Sequence, residues 1–152
     1  MTRLERIMDH LVDELIKGKL IAGKQVVFDA TLVKAYSRRD PHYNIKGAFD
    51  PEARVGRNGK TYELGYKLHV SVDTKSELPL TVIAAPANDN EKKNAPILFE
   101  KALRSTNKRM NLLVADSQYS CQGQRTQASN SGVSRNFLSC KSYEIAKGTF
   151  EG

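Results

Sequence analysis

The sequence predicts an α/β domain built on a mixed sheet, and three observations carry that prediction. Residues 62–74 alternate apolar and polar, the pattern of a strand whose two faces differ. Two continuous apolar runs, Gln25-Val26-Val27-Phe28 and Leu112-Leu113-Val114-Ala115, have the texture of strands covered on both faces, and each ends in an aspartate, Asp29 and Asp116. A helical period at residues 91–104 sits directly before the second of these runs, where a crossover between parallel strands would need it. With 152 residues the chain can bury a real core as one domain.

The elements follow in order. Residues 2–17 read as a helix: Thr2 and Glu5 have capping-box spacing, Leu4, Ile7, Leu11 and Leu15 recur at three- and four-residue steps beside Met8 and Val12, and Gly18 is the expected stop. This apolar stripe requires a cover. A basic connector at 19–24 leads to a strand at about 25–35. Residues 36–61 read as an irregular excursion, because Asp40-Pro41, Asp50-Pro51 and Asn58-Gly59 are turn signals. In the 62–74 strand Tyr62, Leu64, Tyr66, Leu68, Val70 and Val72 share the expected inner face, and Lys67, His69, Ser71 and Asp73 the outer one. Glu77-Leu78-Pro79 turns the chain into a returning strand at 80–85, which makes an antiparallel hairpin. In the 91–104 helix Ile97, Leu98, Ala102 and Leu103 are expected inward. A weaker helix is expected at 121–130 and a last short strand at 132–138.

A crossover helix lets the Asp116 strand return parallel to the Asp29 strand. The two carboxylates then converge at the ends of neighbouring strands, and a divalent cation is the usual reason to gather like charges. The plainer alternative is that each aspartate only starts a turn.

Composition narrows the partners. The formal net charge is +7, which favours a polyanion, nucleic acid above all. The stretch 34–67 holds Lys34, Arg38, Arg39, Lys46, Arg54, Arg57, Lys60 and Lys67 against Asp40, Asp50, Glu52 and Glu63, eight minus four, or +4, with Tyr36, Tyr43 and Phe49 interleaved. Cations with aromatics on a loop suit a DNA backbone with splayed bases, and Arg54, Arg57, Lys60 and Lys67 are the candidate DNA contacts. Cys121 and Cys140 lack metal-ligand spacing. No run has the length of a membrane span, and Met1–Arg6 is unlike a secretory signal, so a cytoplasmic location is expected.

Five segments occur in order: Val27-Phe28-Asp29-Ala30-Thr31, Asp50-Pro51-Glu52-Ala53-Arg54, Gly65-Tyr66-Lys67-Leu68-His69, Leu78-Pro79-Leu80 leading to Pro86-Ala87-Asn88, and Val114-Ala115-Asp116-Ser117-Gln118-Tyr119. Together they resemble the catalytic domain of DDE-type transposases of bacterial insertion sequences. The resemblance implies a ribonuclease-H-like mixed sheet with flanking helices, incomplete toward the C-terminus. It implies metal-dependent DNA strand cleavage and transfer, with Asp29 and Asp116 as the first and second catalytic acids. Their cofactor would be two Mg2+ (or Mn2+) ions, their partners the DNA of element ends and target, with a homodimer left open, and their setting the bacterial nucleoid. The alternatives are a catalytically inactive DNA-binding remnant and another ribonuclease-H-like nuclease.

The domain layout expected is a helix and connector at 1–24, a partial catalytic domain at 25–140 and an irregular tail at 141–152. The family's third acid is a downstream glutamate within a tyrosine–arginine–glutamate–lysine pattern. Only Glu144 and Glu151 follow Asp116, and Tyr143-Glu144 lacks the arginine, so with the third acid missing this chain is expected to have little or no transposition activity. After Ser120 apolar periodicity fades, which suggests a truncated transposase whose text from about Arg135 is out of frame. Tyr119 is expected in the core, Thr31 on the same side of its strand as Asp29, and His10 and His42 in solvent.

Overall fold

The structure is a computed structural model that describes residues 3–138. Thr2, Cys140, Tyr143, Glu144, Glu151 and the 141–152 tail lie outside the described residues, as does the side chain of Glu5. Helix α1 covers Arg3–Lys17, followed by β1 (Gln25–Lys34), β2 (Arg54–Asn58), β3 (Thr61–Asp73), β4 (Pro79–Pro86), α2 (Glu91–Ser105), β5 (Leu112–Asp116), α3 (Gln122–Asn130) and β6 (Ser134–Leu138). The strands hydrogen-bond in the order β2-β3-β1-β5-β6, with β4 also on β3. Among the described residues no helix is long and apolar enough to cross a membrane.

The chain divides into two compact units. The first takes Met1–Asp29, Val70–Val82 and Glu91–Gly152, and the second Ala30–His69 and Ile83–Asn90.

In the first unit β5 is the centre of a parallel set. It pairs with β1 from Gln25↔Leu112 to Phe28↔Ala115, and with β6 from Leu112↔Ser134 to Asp116↔Leu138. The last short strand expected at 132–138 is thus present as β6. Val26, Phe28, Leu113 and Ala115 are at most 2% exposed, as strands covered on both faces require. Helix α2 buries Asn94, Ala95, Leu98, Phe99 and Ala102. Ile97, expected inward, is 48% exposed, and Phe99 takes the inward place instead. The inward set is thus 94, 95, 98, 99 and 102, a three-and-four spacing along one face.

Helix α1 ends at Lys17 as expected, but the left-handed position of its stop is Lys19 and not Gly18. Leu20 donates its N–H to the Leu15 carbonyl and Lys19 to that of Ile16, the two bonds of a Schellman motif, and Lys19 takes the left-handed conformation at φ 61°.

The outer face expected for β3 is the buried one. Ser71 and Asp73 are at most 1% exposed, as is His69 in the second unit, while Val70 and Val72 are only half-buried. Alternation shows that two faces differ but not which one is covered. The Asp73 carboxylate accepts the Gly23 N–H at 2.9 Å and both the N–H and hydroxyl of Ser76 at 3.0 and 2.9 Å, which offsets its desolvation and closes the turn before β4.

Beyond Ser120 the apolar period fades for a visible reason. Helix α3 turns Gln124 and Ala128 inward, both fully buried, so a polar residue fills a core position. Neither the Nε2 nor the Oε1 of Gln124 has a hydrogen-bond partner among the described residues. A buried unpaired amide costs about 1–3 kcal/mol. Gln124→Met, close in volume, is therefore expected to raise stability by about 1 kcal/mol or more in urea titrations; a loss of stability would show that the amide is paired in solution. The Cys121 thiol, expected to be incidental, accepts the Gln124 N–H at 3.5 Å and caps the helix.

In the second unit residues 54–58, expected within the irregular excursion, form β2. It pairs antiparallel with β3 from Asn58↔Thr61 to Arg54↔Gly65, leaving Gly59-Lys60 as a two-residue hairpin loop with Gly59 at φ 59°. The Asn-Gly signal was thus a hairpin and not a plain loop. Gly65 is required by packing: a Cβ there would collide with the Val33 carbonyl oxygen.

Candidate active site

Strand β1 ends its pairing with β5 at Phe28↔Ala115. Asp29 and Asp116 are the next residue on each strand. Parallel neighbours in register project paired side chains to the same face from backbones about 4.8 Å apart. The topology that the crossover helix allowed thus sets the two aspartates directly after the last register pair of neighbouring parallel strands. Asp29 is exposed and Asp116 half-buried, so both carboxylates meet solvent at the end of a buried sheet.

The strands beneath them are pinned. Phe28 is 1% exposed and its ring meets that of Tyr119 edge-on, with centroids 6.0 Å apart at 65°. Tyr119, in the core as expected, is 2% exposed. Burial pushes its hydroxyl pKa up, and the negative charges of Glu91, Asp29 and Asp116 push it further. The hydroxyl therefore stays protonated throughout the neutral range. Glu91, in the first turn of α2, is the member of this set that sequence reasoning missed; being an ordinary first-turn acid, it gave no signal.

Asp116 also starts a turn. Its Oδ1 accepts the Gln118 N–H at 3.1 Å and the Ser117 hydroxyl at 3.0 Å, capping a single 3-10 turn at Ser117–Tyr119. The turn-starting alternative is thus realised for Asp116, and the cap fixes its carboxylate where its strand ends.

Two carboxylates on one face are hard oxygen donors and fit a divalent cation such as Mg2+ as part of its coordination shell. Among the described residues no group of three His, Cys, Asp or Glu side chains could hold a metal ion, so Glu91 does not complete a set of three.

In the second unit the candidate DNA contacts divide. Arg57 and Lys60 are exposed at the β2–β3 hairpin tip, with Arg57 Nε bonded to the Gly59 carbonyl at 2.8 Å. The Arg54 guanidinium instead closes its own loop, donating to the carbonyls of Pro51 and Ala53. Lys67 donates to the Asp89 carbonyl at 3.3 Å and is half-buried. Tyr36, Tyr43 and Phe49 are all exposed; Arg38 lies over the Phe49 ring at 5.4 Å and Lys46 over that of Tyr43 at 4.3 Å.

Asp50 explains the Asp-Pro-Glu-Ala-Arg segment. The Tyr66 hydroxyl donates to Asp50 Oδ1 at 2.7 Å and the Ala53 N–H donates at 3.3 Å. The hydrogen bond from Tyr66 holds the Asp50 carboxyl below its ordinary 3.8, and the same bond pushes Tyr66 up to about 12. A lowered acid pKa gives stability present above pH 3.8 and lost as pH falls below it. A raised phenol pKa gives stability present below pH 10 and lost as pH rises toward 12. Protection of the 36–53 loop from proteolysis is therefore expected to be flat between about pH 5 and 9 and to weaken at both extremes. Tyr66→Phe should remove the alkaline loss; an unchanged alkaline limb in that variant would break the assignment.

A family model described as the transposase DDE domain matches residues 22–137. A comparison with curated proteins returned no match. Solved structures with this fold include the piggyBac transposase synaptic complex with hairpin DNA, at 10% identity and a TM-score of 0.50 over 84% of this chain and 26% of that one. The catalytic domain of the Mos1 mariner transposase is similar at 10% identity and TM-score 0.48, over 92% of this chain and 63% of that one. The HTLV-2 integrase catalytic core domain in complex with magnesium follows at 14% identity and TM-score 0.45, over 85% and 67%. The chain spans about a third of the simian T-cell lymphotropic virus intasome chain and two fifths of the Mos1 transposase chain that it also matches. The likeness to the piggyBac structure shows a shared fold. With the family match covering most of its length, this chain belongs to the transposase DDE-domain family.

Proposed function

We propose that this chain is the catalytic domain, or part of it, of a transposase that cleaves and transfers DNA strands. The supporting observation is that β1 and β5 pair in parallel register as far as Phe28↔Ala115, the residues directly before Asp29 and Asp116. The family is metal-dependent, and the reading extends this to two Mg2+ or Mn2+ ions held in part by these two carboxylates. When bound, such ions activate a water or 3′-hydroxyl and stabilise the leaving oxygen at the scissile phosphate. The chain's own part is to fix both carboxylates: Asp29 through the buried Phe28 before it, and Asp116 through its turn.

DNA is the proposed partner. Arg57 and Lys60, exposed at the hairpin tip, are the cations best placed to meet phosphates, whereas Arg54 and Lys67 hold carbonyls of their own unit. Binding to duplex DNA is expected to fall about tenfold or more between 50 and 200 mM salt. Arg57→Ala with Lys60→Ala should lower the salt slope by about two. Binding indifferent to salt would remove the electrostatic reading. Catalysis is tested by nicking of supercoiled plasmid with Mg2+ or Mn2+ and with chelator: nicking that survives chelation refutes the metal mechanism.

A second reading is a DNA-binding product without chemistry. One observation favours it, the lack of a three-ligand group among the described residues. Salt-dependent binding with no nicking under either metal would establish it.

A further inference from the structure

Helix α1 carries an apolar strip that its own unit leaves open. Val12 and Ile16 are buried, whereas Ile7 and Leu11, one turn apart, are 51% and 54% exposed. A shallow groove runs along them, lined by Arg3, Arg6, Ile7, His10 and Leu11. Its N-terminal end is therefore basic. The other end of the helix is acidic: Asp13 and Glu14 share the single ammonium of Lys17, at 2.7 and 2.9 Å, so two negative charges face one positive. An apolar strip that is basic at one end and acidic at the other is complementary to itself under a two-fold axis.

We propose that α1 is a self-association surface, covered by α1 of a second copy of this chain lying antiparallel to it. Ile7 of each copy packs on Leu11 of the other, and Arg3 of each reaches Glu14 of the other. Both pairings fit one axis, because the midpoint of 7 and 11 falls beside that of 3 and 14. A parallel arrangement would set Arg3 on Arg3 and Glu14 on Glu14, like charge against like, so the charge pattern selects the antiparallel one. One helix per copy is a small interface, so the dimer depends on concentration. This proposal does not rest on the transposase reading.

Sedimentation velocity over a range of protein concentrations, without DNA or metal, tests it. The chain is expected to pass from monomer to dimer. Ile7→Lys should raise the dissociation constant at least about tenfold while the melting temperature holds, because Ile7 is half exposed. Arg3→Glu and Glu14→Arg should each weaken the dimer, and the two together should restore it. A chain that stays monomeric at every concentration overturns the proposal and assigns the strip to another partner. A dimer unmoved by Ile7→Lys overturns it too, and single charge variants that weaken without mutual rescue overturn the antiparallel register.

Discussion

Asp116→Asn is expected to abolish metal-dependent nicking of plasmid DNA, a loss of at least about a hundredfold, and Asp29→Asn to do the same. The amide is chosen because it separates charge from shape. Asn keeps an oxygen at the position that accepts from Gln118 and Ser117, so the turn after β5 survives, and Asn caps as well as Asp does. What it removes is one negative charge from the aspartate pair. Asp116→Ala removes the cap as well and should cost about 1 kcal/mol of stability on top of the activity. The double Asn variant should fall no further than either single one, because groups that act as one unit are not additive. Affinity for duplex DNA should hold or rise in all of them, since a like charge is removed from a surface that meets phosphates. Nicking by either Asn variant at the unsubstituted level would end the claim that these residues carry the chemistry.

Phe28→Ala should destabilise the fold by about 3–5 kcal/mol, the usual cost of truncating a buried aromatic. Phe28 is 1% exposed, lies on the last register pair between β1 and β5, and loses its edge contact with Tyr119. For a chain of this size each kcal/mol lowers the midpoint by about 2–4 °C, so a fall of roughly 6–20 °C is expected. Ile97→Ala on the exposed side of α2 is the control and should cost no more than about 1 kcal/mol. Equal losses from the two variants would mean that the core has been drawn on the wrong side of the helix. Nicking should fall in Phe28→Ala as well, since Asp29 is held by the residue before it.

Much of this was legible in the sequence. The two apolar runs and the crossover helix implied parallel strands with Asp29 beside Asp116, because continuous apolar runs mark strands covered on both faces. The hairpin after Asp73 and the weak helix at 122–130 were legible from turn residues and residual period. The second strand of the excursion was not, since Arg54–Asn58 has no apolar alternation and becomes a strand only by pairing with β3. Nor was the buried face of β3, where His69, Ser71 and Asp73 lie inside. Alternation is symmetric under exchange of faces, and the choice between them depends on what packs there.

The sequence by itself determined the order of the elements other than β2 and the two apolar strands that end before Asp29 and Asp116, because these follow from local periodicity and turn chemistry. Tertiary structure decided which faces are covered, which cations are left at the surface and which polar groups are buried. Arg54 and Lys67 look like Arg57 and Lys60 in the text, yet only the latter pair stands exposed at a hairpin tip. Asp50 and Tyr66 are sixteen positions apart and meet at 2.7 Å. Such pairings depend on distances between segments remote in the chain, which local pattern does not encode.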